Sequence, residues 1–154
     1  MTTNRLWTDV DALAQFDLSM RGAEAALSRL RPSKPYDNQL SYMEVLFWIG
    51  AAIDAMKLQE HDKNSIFAGI HWVRNKAAHH QAKLMKLLPE VNAADPDWSD
   101  YVFDSPNVIG VEYGNIKNTP VVGYVRHLEG KSVRMYLSIA HLELADLAKH
   151  SRPE

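Results

Sequence analysis

Between Trp72 and Gln81 the chain reads WVRNKAAHHQ, which sets an arginine, an asparagine, a lysine and two adjacent histidines within seven positions. Histidine is the side chain whose unperturbed pKa suits proton transfer near neutral pH. A guanidinium grips two phosphate oxygens and offsets charge that builds in a transition state. Together they suit cleavage of a phosphodiester that carries its own nucleophile. RNA is such a substrate, since its 2′-OH can attack the adjacent phosphorus. The expected products are a 2′,3′-cyclic phosphate and a 5′-hydroxyl end, with no metal or other cofactor required.

Spacing decides which of these groups can act together. On an ideal helix each residue turns by about 100°. His71, Asn75 and His79 recur at intervals of four and share one face. Ile66, Ile70, Val73, Ala77, Leu84 and Leu88 mark the core stripe on roughly the other side. His79 therefore faces away from the core. His80 falls about 40° from the stripe's centre, where a hydrogen-bonded boundary histidine is the plain reading. Arg74 and His79 are separated by about 140°. To act on one phosphate, the arginine must reach around, the helix must distort, or two copies must meet. Trp72 is expected to lean outward, which hints at a covered surface.

The elements that must position these residues are read from periodicity. A first helix is expected over 9–30, with Thr8 and Asp11 as a capping pair and Leu13, Phe16, Met20, Ala23, Leu27 and Leu30 on one face. RPSKPYDN breaks it. Ser41 and Glu44 form an S-x-x-E capping box that would open a second helix to about residue 60. Its apolar residues spread beyond one stripe, so it should be buried on two sides, by its own core or by another subunit. Asp62 and Asn64 are candidate caps for a third helix over 65–88, ended by Pro89. EVNAADPDWSD reads as loop. NVIGVEY (107–113) and VVGYVRH (121–127) read as two strands of a hairpin. A last helix over about 131–149 carries Val133, Leu137, Ala140, Leu144 and Leu147 as its stripe. The sum is one mainly α domain over 1–154, an antiparallel four- to five-helix bundle with a small β-hairpin at 107–127 inserted before the last helix.

Composition narrows the classes. The chain has 154 residues and no cysteine, which excludes disulfides and thiolate chemistry and fits a reducing, cytoplasmic setting. No apolar run approaches a membrane span and no signal peptide is seen. The net charge is −2, yet residues 63–88 carry Lys63, Arg74, Lys76, Lys83 and Lys86 with no acid. A polyanion would be drawn to that segment. Lys76 and Lys83 are candidate phosphate-steering groups beside His71 and His80. As solvated lysines they need no function, and Lys83 and Lys86 could simply complement a helix dipole.

The string R-N-K-A-A-H, Arg74 to His79, resembles the R-x4-H signature of HEPN-domain proteins, in which asparagine often follows the arginine. The resemblance covers mainly 41–88, with the last helix compatible. It implies a helical bundle, usually dimeric, in which arginine and histidine of both subunits line a composite cleft. Many such proteins are metal-independent endoribonucleases of toxin–antitoxin, abortive-infection or phage-defence systems. Carried over, Arg74 and His79 would be catalytic and Asn75 would orient the histidine or the phosphate. RNA, a second copy of the chain and an antitoxin or regulatory protein would be the partners. In one subgroup a tyrosine two residues after the histidine is modified by the antitoxin; here that position is Gln81.

Three other readings compete. A HEPN-like bundle without catalysis would bind RNA, a nucleotide or a protein. A metal site from His71, His79 and His80 lacks the i, i+4 histidine pair at Asn75 and has no acid on that helix. A merely solvated polar face needs no ligand at all. A DNA-reading helix-turn-helix is not expected in an acidic chain without a short helix pair.

Overall fold

The computed structural model describes residues 10–32, 34–76, 81–88, 100–111 and 121–151, with the side chains of Val10, Lys76, Ala82 and Asp100 excepted. The protein is mainly helical, with a two-stranded antiparallel hairpin ahead of the final helices. The order is α1 (Val10–Ser28), α2 (Pro35–Met56), α3 (Leu58–His61), α4 (Ile66–Lys76), α5 (Gln81–Leu84), β1 (Met85–Leu88), β2 (Asp100–Phe103), a 3-10 turn (Pro106–Ile109), α6 (Val121–His127) and α7 (Val133–Ser151). Among the described residues no helix is long and apolar enough to cross a membrane.

Helices α1 and α2 form an antiparallel pair: Gly22 lies against Trp48, and further back along α2 Glu44 pairs with Arg29. The turn between them is tied by Asn38, whose side chain accepts from Arg31 N at 2.9 Å and donates to Arg31 O at 2.7 Å. Helix α2 thus begins at Pro35, a residue suited to a first turn because its missing N–H would have no helical partner there. The expected capping box at Ser41 does not form. Ser41 is a buried interior residue, and Glu44 turns outward to Arg29. Lys57 ends α2 in the left-handed region at φ 54°.

The core is built by Phe16 of α1, Tyr42, Leu46, Ile49, Ile53 and Met56 of α2, Ile70 of α4, and Val133, Leu137, Ala140 and Leu144 of α7. Of the stripe expected on α7, Val133, Leu137, Ala140 and Leu144 are buried and Leu147 is partly buried against the core. The capping pair expected at Thr8 and Asp11 lies partly outside the described residues.

Two expectations are overturned between residues 81 and 127. The third helix does not continue to residue 88; α5 stops at Leu84, and Met85–Leu88 is a strand paired with Asp100–Phe103 in the register Met85↔Phe103 to Leu88↔Asp100. Of the residues expected as a hairpin, 107–109 belong to the 3-10 turn Pro106–Ile109 and 121–127 form helix α6, while 112–120 lie outside the described residues. Gly123 is the reason α6 fits. A Cβ there would meet Ser65 O at 2.5 Å, and one on Gly69 would meet Gly123 C at 2.9 Å, so α4 and α6 touch backbone to backbone. Tyr124 of α6 is fully buried and donates its hydroxyl to Asp104 O at 2.5 Å. A second edge of β2 is closed by a bridge from Val102 to Ser132.

Candidate functional site

Helix α4 carries the polar motif, and its first turn is fixed by Ser65. The Ser65 hydroxyl accepts from Ala68 N at 3.1 Å and donates to Asp62 O at 2.8 Å. Neither expected cap, Asp62 or Asn64, holds that N–H; Asp62 instead accepts from Asn64 N at 2.8 Å. Ile70 and Val73 face the core. Trp72 does not lean outward as its helical angle suggested. It is 6% exposed and packs on Tyr124 with ring centroids 4.9 Å apart. α6 provides a second covered face that no single-stripe reading of α4 anticipates.

With two faces covered, His71, Arg74 and Asn75 are left on the remaining side, toward α2. There Phe47, Gly50 and Asp54 follow one another at helical spacing. Asp54 binds both partners. One oxygen takes Arg74 Nη1, and the other lies 2.9 Å from His71 Nε2. Arg74 also rests over Phe47, its guanidinium carbon 5.3 Å from the ring centroid, a cation–π arrangement. Gly50 makes the space: a Cβ there would overlap Arg74 Cδ and come within 2.9 Å of its Nε. Asn75 Nδ2 lies 2.9 Å from His71 Nε2 and 3.4 Å from Nδ1. With the Nε2 proton donated to Asp54, Nδ1 is the nitrogen able to accept from Asn75.

These groups are reachable from solvent. The side chains of Arg74, His71 and Asp54 are 21%, 23% and 41% exposed. Arg74 and Asn75 open onto a groove of about 750 Å³, whose walls are Leu40, Met43, Glu44 and Phe47 of α2 and Gln81 of α5. On α2, Leu40 and Phe47 of that wall are 65% and 50% exposed and Tyr36, one turn before Leu40, is 76% exposed, a line of apolar side chains on the face of α2 away from the core. The breadth of apolar surface on α2 is thus accounted for on one side by the core, while the other side is open in the single chain.

The remaining expected site residues divide. His79 and His80 lie outside the described residues, as does the side chain of Lys76. Lys83 is exposed at the last turn of α5, and Lys86 is exposed on β1 rather than on a helix. Gln81 is buried at 9% exposure and lines the groove. Among the described residues no group of three or more His, Asp or Glu side chains is placed to hold a metal ion.

Asp54 was not among the expected site residues, though the sequence holds a signal for it. It is the one charged residue between Val45 and Met56. A lone charge within an apolar helix requires a partner. Chemically, the cluster is a carboxylate that orients an imidazole and a guanidinium at the rim of an aromatic-walled groove. No family model, curated protein or solved structure matches the chain.

Proposed function

We propose that the protein is a metal-independent endoribonuclease of the toxin–antitoxin or phage-defence kind, acting as a homodimer on RNA in the cytoplasm. The observation that carries this reading is the setting of Arg74. A guanidinium is held by Asp54 and Phe47 at the edge of an open groove, with Asn75 beside it and the R-x4-H histidine, His79, following in the chain. Arg74 holds the scissile phosphate and offsets its developing charge. His79 takes the 2′-OH proton. The uncovered line Tyr36–Leu40–Phe47 supports association of two copies, because it abuts Arg74 and would bring two motifs together when buried. That arrangement meets the angular separation of Arg74 and His79. Gln81, buried where the modifiable tyrosine of one HEPN subgroup would stand, favours silencing by a protein that covers the groove.

The test is purified protein with total RNA and with purified tRNA, in EDTA, beside His79→Ala. Cleavage by the wild type alone, leaving cyclic-phosphate ends, supports the reading. A folded protein that cuts neither substrate favours the second reading, a non-catalytic module whose groove binds RNA, a nucleotide or a protein.

A further inference from the structure

Cleavage through the 2′-OH needs two proton transfers. One takes the proton from the attacking 2′-oxygen, and the other gives a proton to the departing 5′-oxygen. The reading above, on which this inference rests, gives the first to His79 and leaves the second without a donor. We infer that His71 is that donor, held for the task by Asp54.

The geometry is that of an oriented imidazole. Asp54 Oδ1 lies 2.9 Å from His71 Nε2, and the other oxygen of the same carboxylate holds Arg74. Imidazole and guanidinium therefore sit side by side on one anchor, so a phosphate held by Arg74 would have the imidazole as a neighbour. The carboxylate fixes the tautomer and offsets the charge of the imidazolium, as an aspartate does for a catalytic histidine elsewhere. Nε2 is occupied by Asp54, so Nδ1 is the nitrogen that delivers the proton. Asn75 Nδ2 lies 3.4 Å from Nδ1 and 2.9 Å from Nε2; a protonated Nδ1 has no lone pair for it, so in the imidazolium the exposed Asn75 side chain turns aside and leaves Nδ1 to the substrate. His71 itself is only 23% exposed, sheltered enough to keep its orientation and open enough to reach a bound ester.

The step balances without a cofactor. The 2′-oxygen forms a bond to phosphorus as His79 takes its proton. The bond from phosphorus to the 5′-oxygen breaks, and that oxygen takes the proton from His71 Nδ1. The cyclic phosphate and the 5′-hydroxyl result. Each histidine ends in the other's starting protonation state and is reset by water.

A leaving group that needs no proton separates this role from a structural one. An oligoribonucleotide spanning a mapped cleavage site is made in two forms, with the natural bridging 5′-oxygen and with sulfur in its place. His71→Gln keeps a donor for Asp54 but carries no transferable proton. It should cut the oxygen form roughly 100-fold or more slowly than wild type, the scale of general acid catalysis, and the sulfur form within a few-fold of wild type. If His71→Gln melts below the wild type, Asp54→Asn carries the test, and its ratio of sulfur to oxygen rates should rise at least about tenfold over wild type, within the same range. Equal slowing of both forms would make His71 structural and overturn the inference, as would wild-type rates on the oxygen form. In either case the ribonuclease reading survives. A wild type that cuts no RNA overturns both.

Discussion

Gly50→Ala tests the placement of Arg74 directly. The three heavy atoms nearest a Cβ at position 50 all belong to Arg74. In an unobstructed helix interior, alanine is favoured over glycine by roughly 0.5–1 kcal/mol. Here the added methyl overlaps the middle of a side chain tied at its end to Asp54. Overpacking of that kind costs about 1–3 kcal/mol. The two terms leave Gly50→Ala destabilised by about 0–2.5 kcal/mol, or push Arg74 off Asp54 into the groove. Arg74→Ala alone loses a partly exposed ion pair, worth about 1 kcal/mol or less. In the double variant the obstruction is gone, and the helical gain of about 1 kcal/mol should reappear. The double-mutant cycle therefore carries a coupling of about 1–3 kcal/mol. Urea unfolding at one fixed protein concentration, followed by circular dichroism, measures it. Coupling below about 0.5 kcal/mol would mean that Arg74 does not lie against Gly50, and the account of the site would lose its anchor.

Other expectations follow from the same contacts. Trp72→Ala should destabilise by about 3–5 kcal/mol, because the ring is buried on Tyr124; a loss under about 1 kcal/mol, below the usual cost of emptying a core site, would return Trp72 to the surface. Phe47→Glu should leave a folded monomer of 17.5 kDa in light scattering where the wild type gives twice that mass, and a wild-type monomer would remove the composite site. Burial, with Tyr36 adding to it, pushes the Tyr101 phenol above its ordinary value of 10.0. The unfolded chain then loses that proton first as pH rises. Its contribution is intact below the unfolded value and is lost as pH climbs toward the folded one. Tyr101→Phe should flatten the fall in urea midpoint between about pH 9 and 11; an unchanged slope would assign that fall to other groups.

The helices were legible where one face alone is buried. α1 and α7 lie where their apolar stripes were expected; Phe16, Ala23, Val133, Leu137, Ala140 and Leu144 of those stripes are buried, while Leu13, Met20, Leu27, Leu30 and Leu147 are partly buried. Legibility failed where a second layer intervenes. VVGYVRH has the β-branched composition of a strand, yet it is a helix because Gly123 lets its backbone settle on Gly69 and Tyr124 fills the space between Trp72 and Phe103. MKLL reads as the end of a helix and is a strand because DYVF pairs with it. Neither choice is encoded in a local window; both are made by tertiary partners. The site divides the same way. Arg74, Asn75 and His71 stand out by type and spacing. Phe47 and Gly50 become site residues only when α2 lies against α4, and Asp54 was visible only as a charge without an explanation.

The bridge from Val102 to Ser132 has a consequence for how the chain is made. Phe103 N donates to Lys131 O, and Gly130 N donates back to Phe103 O, so β2 is held from both sides only after residue 132 exists. The buried stripe of α7 follows it and covers α2. On a ribosome adding about 5–20 residues per second, α1 and α2 can pair early as a local hairpin of helices. The apolar side of α2 must then wait for α7 to be made. Folding of this domain is therefore completed only once α7 has emerged, and a chain interrupted before α7 presents its unfinished core to chaperones and proteases.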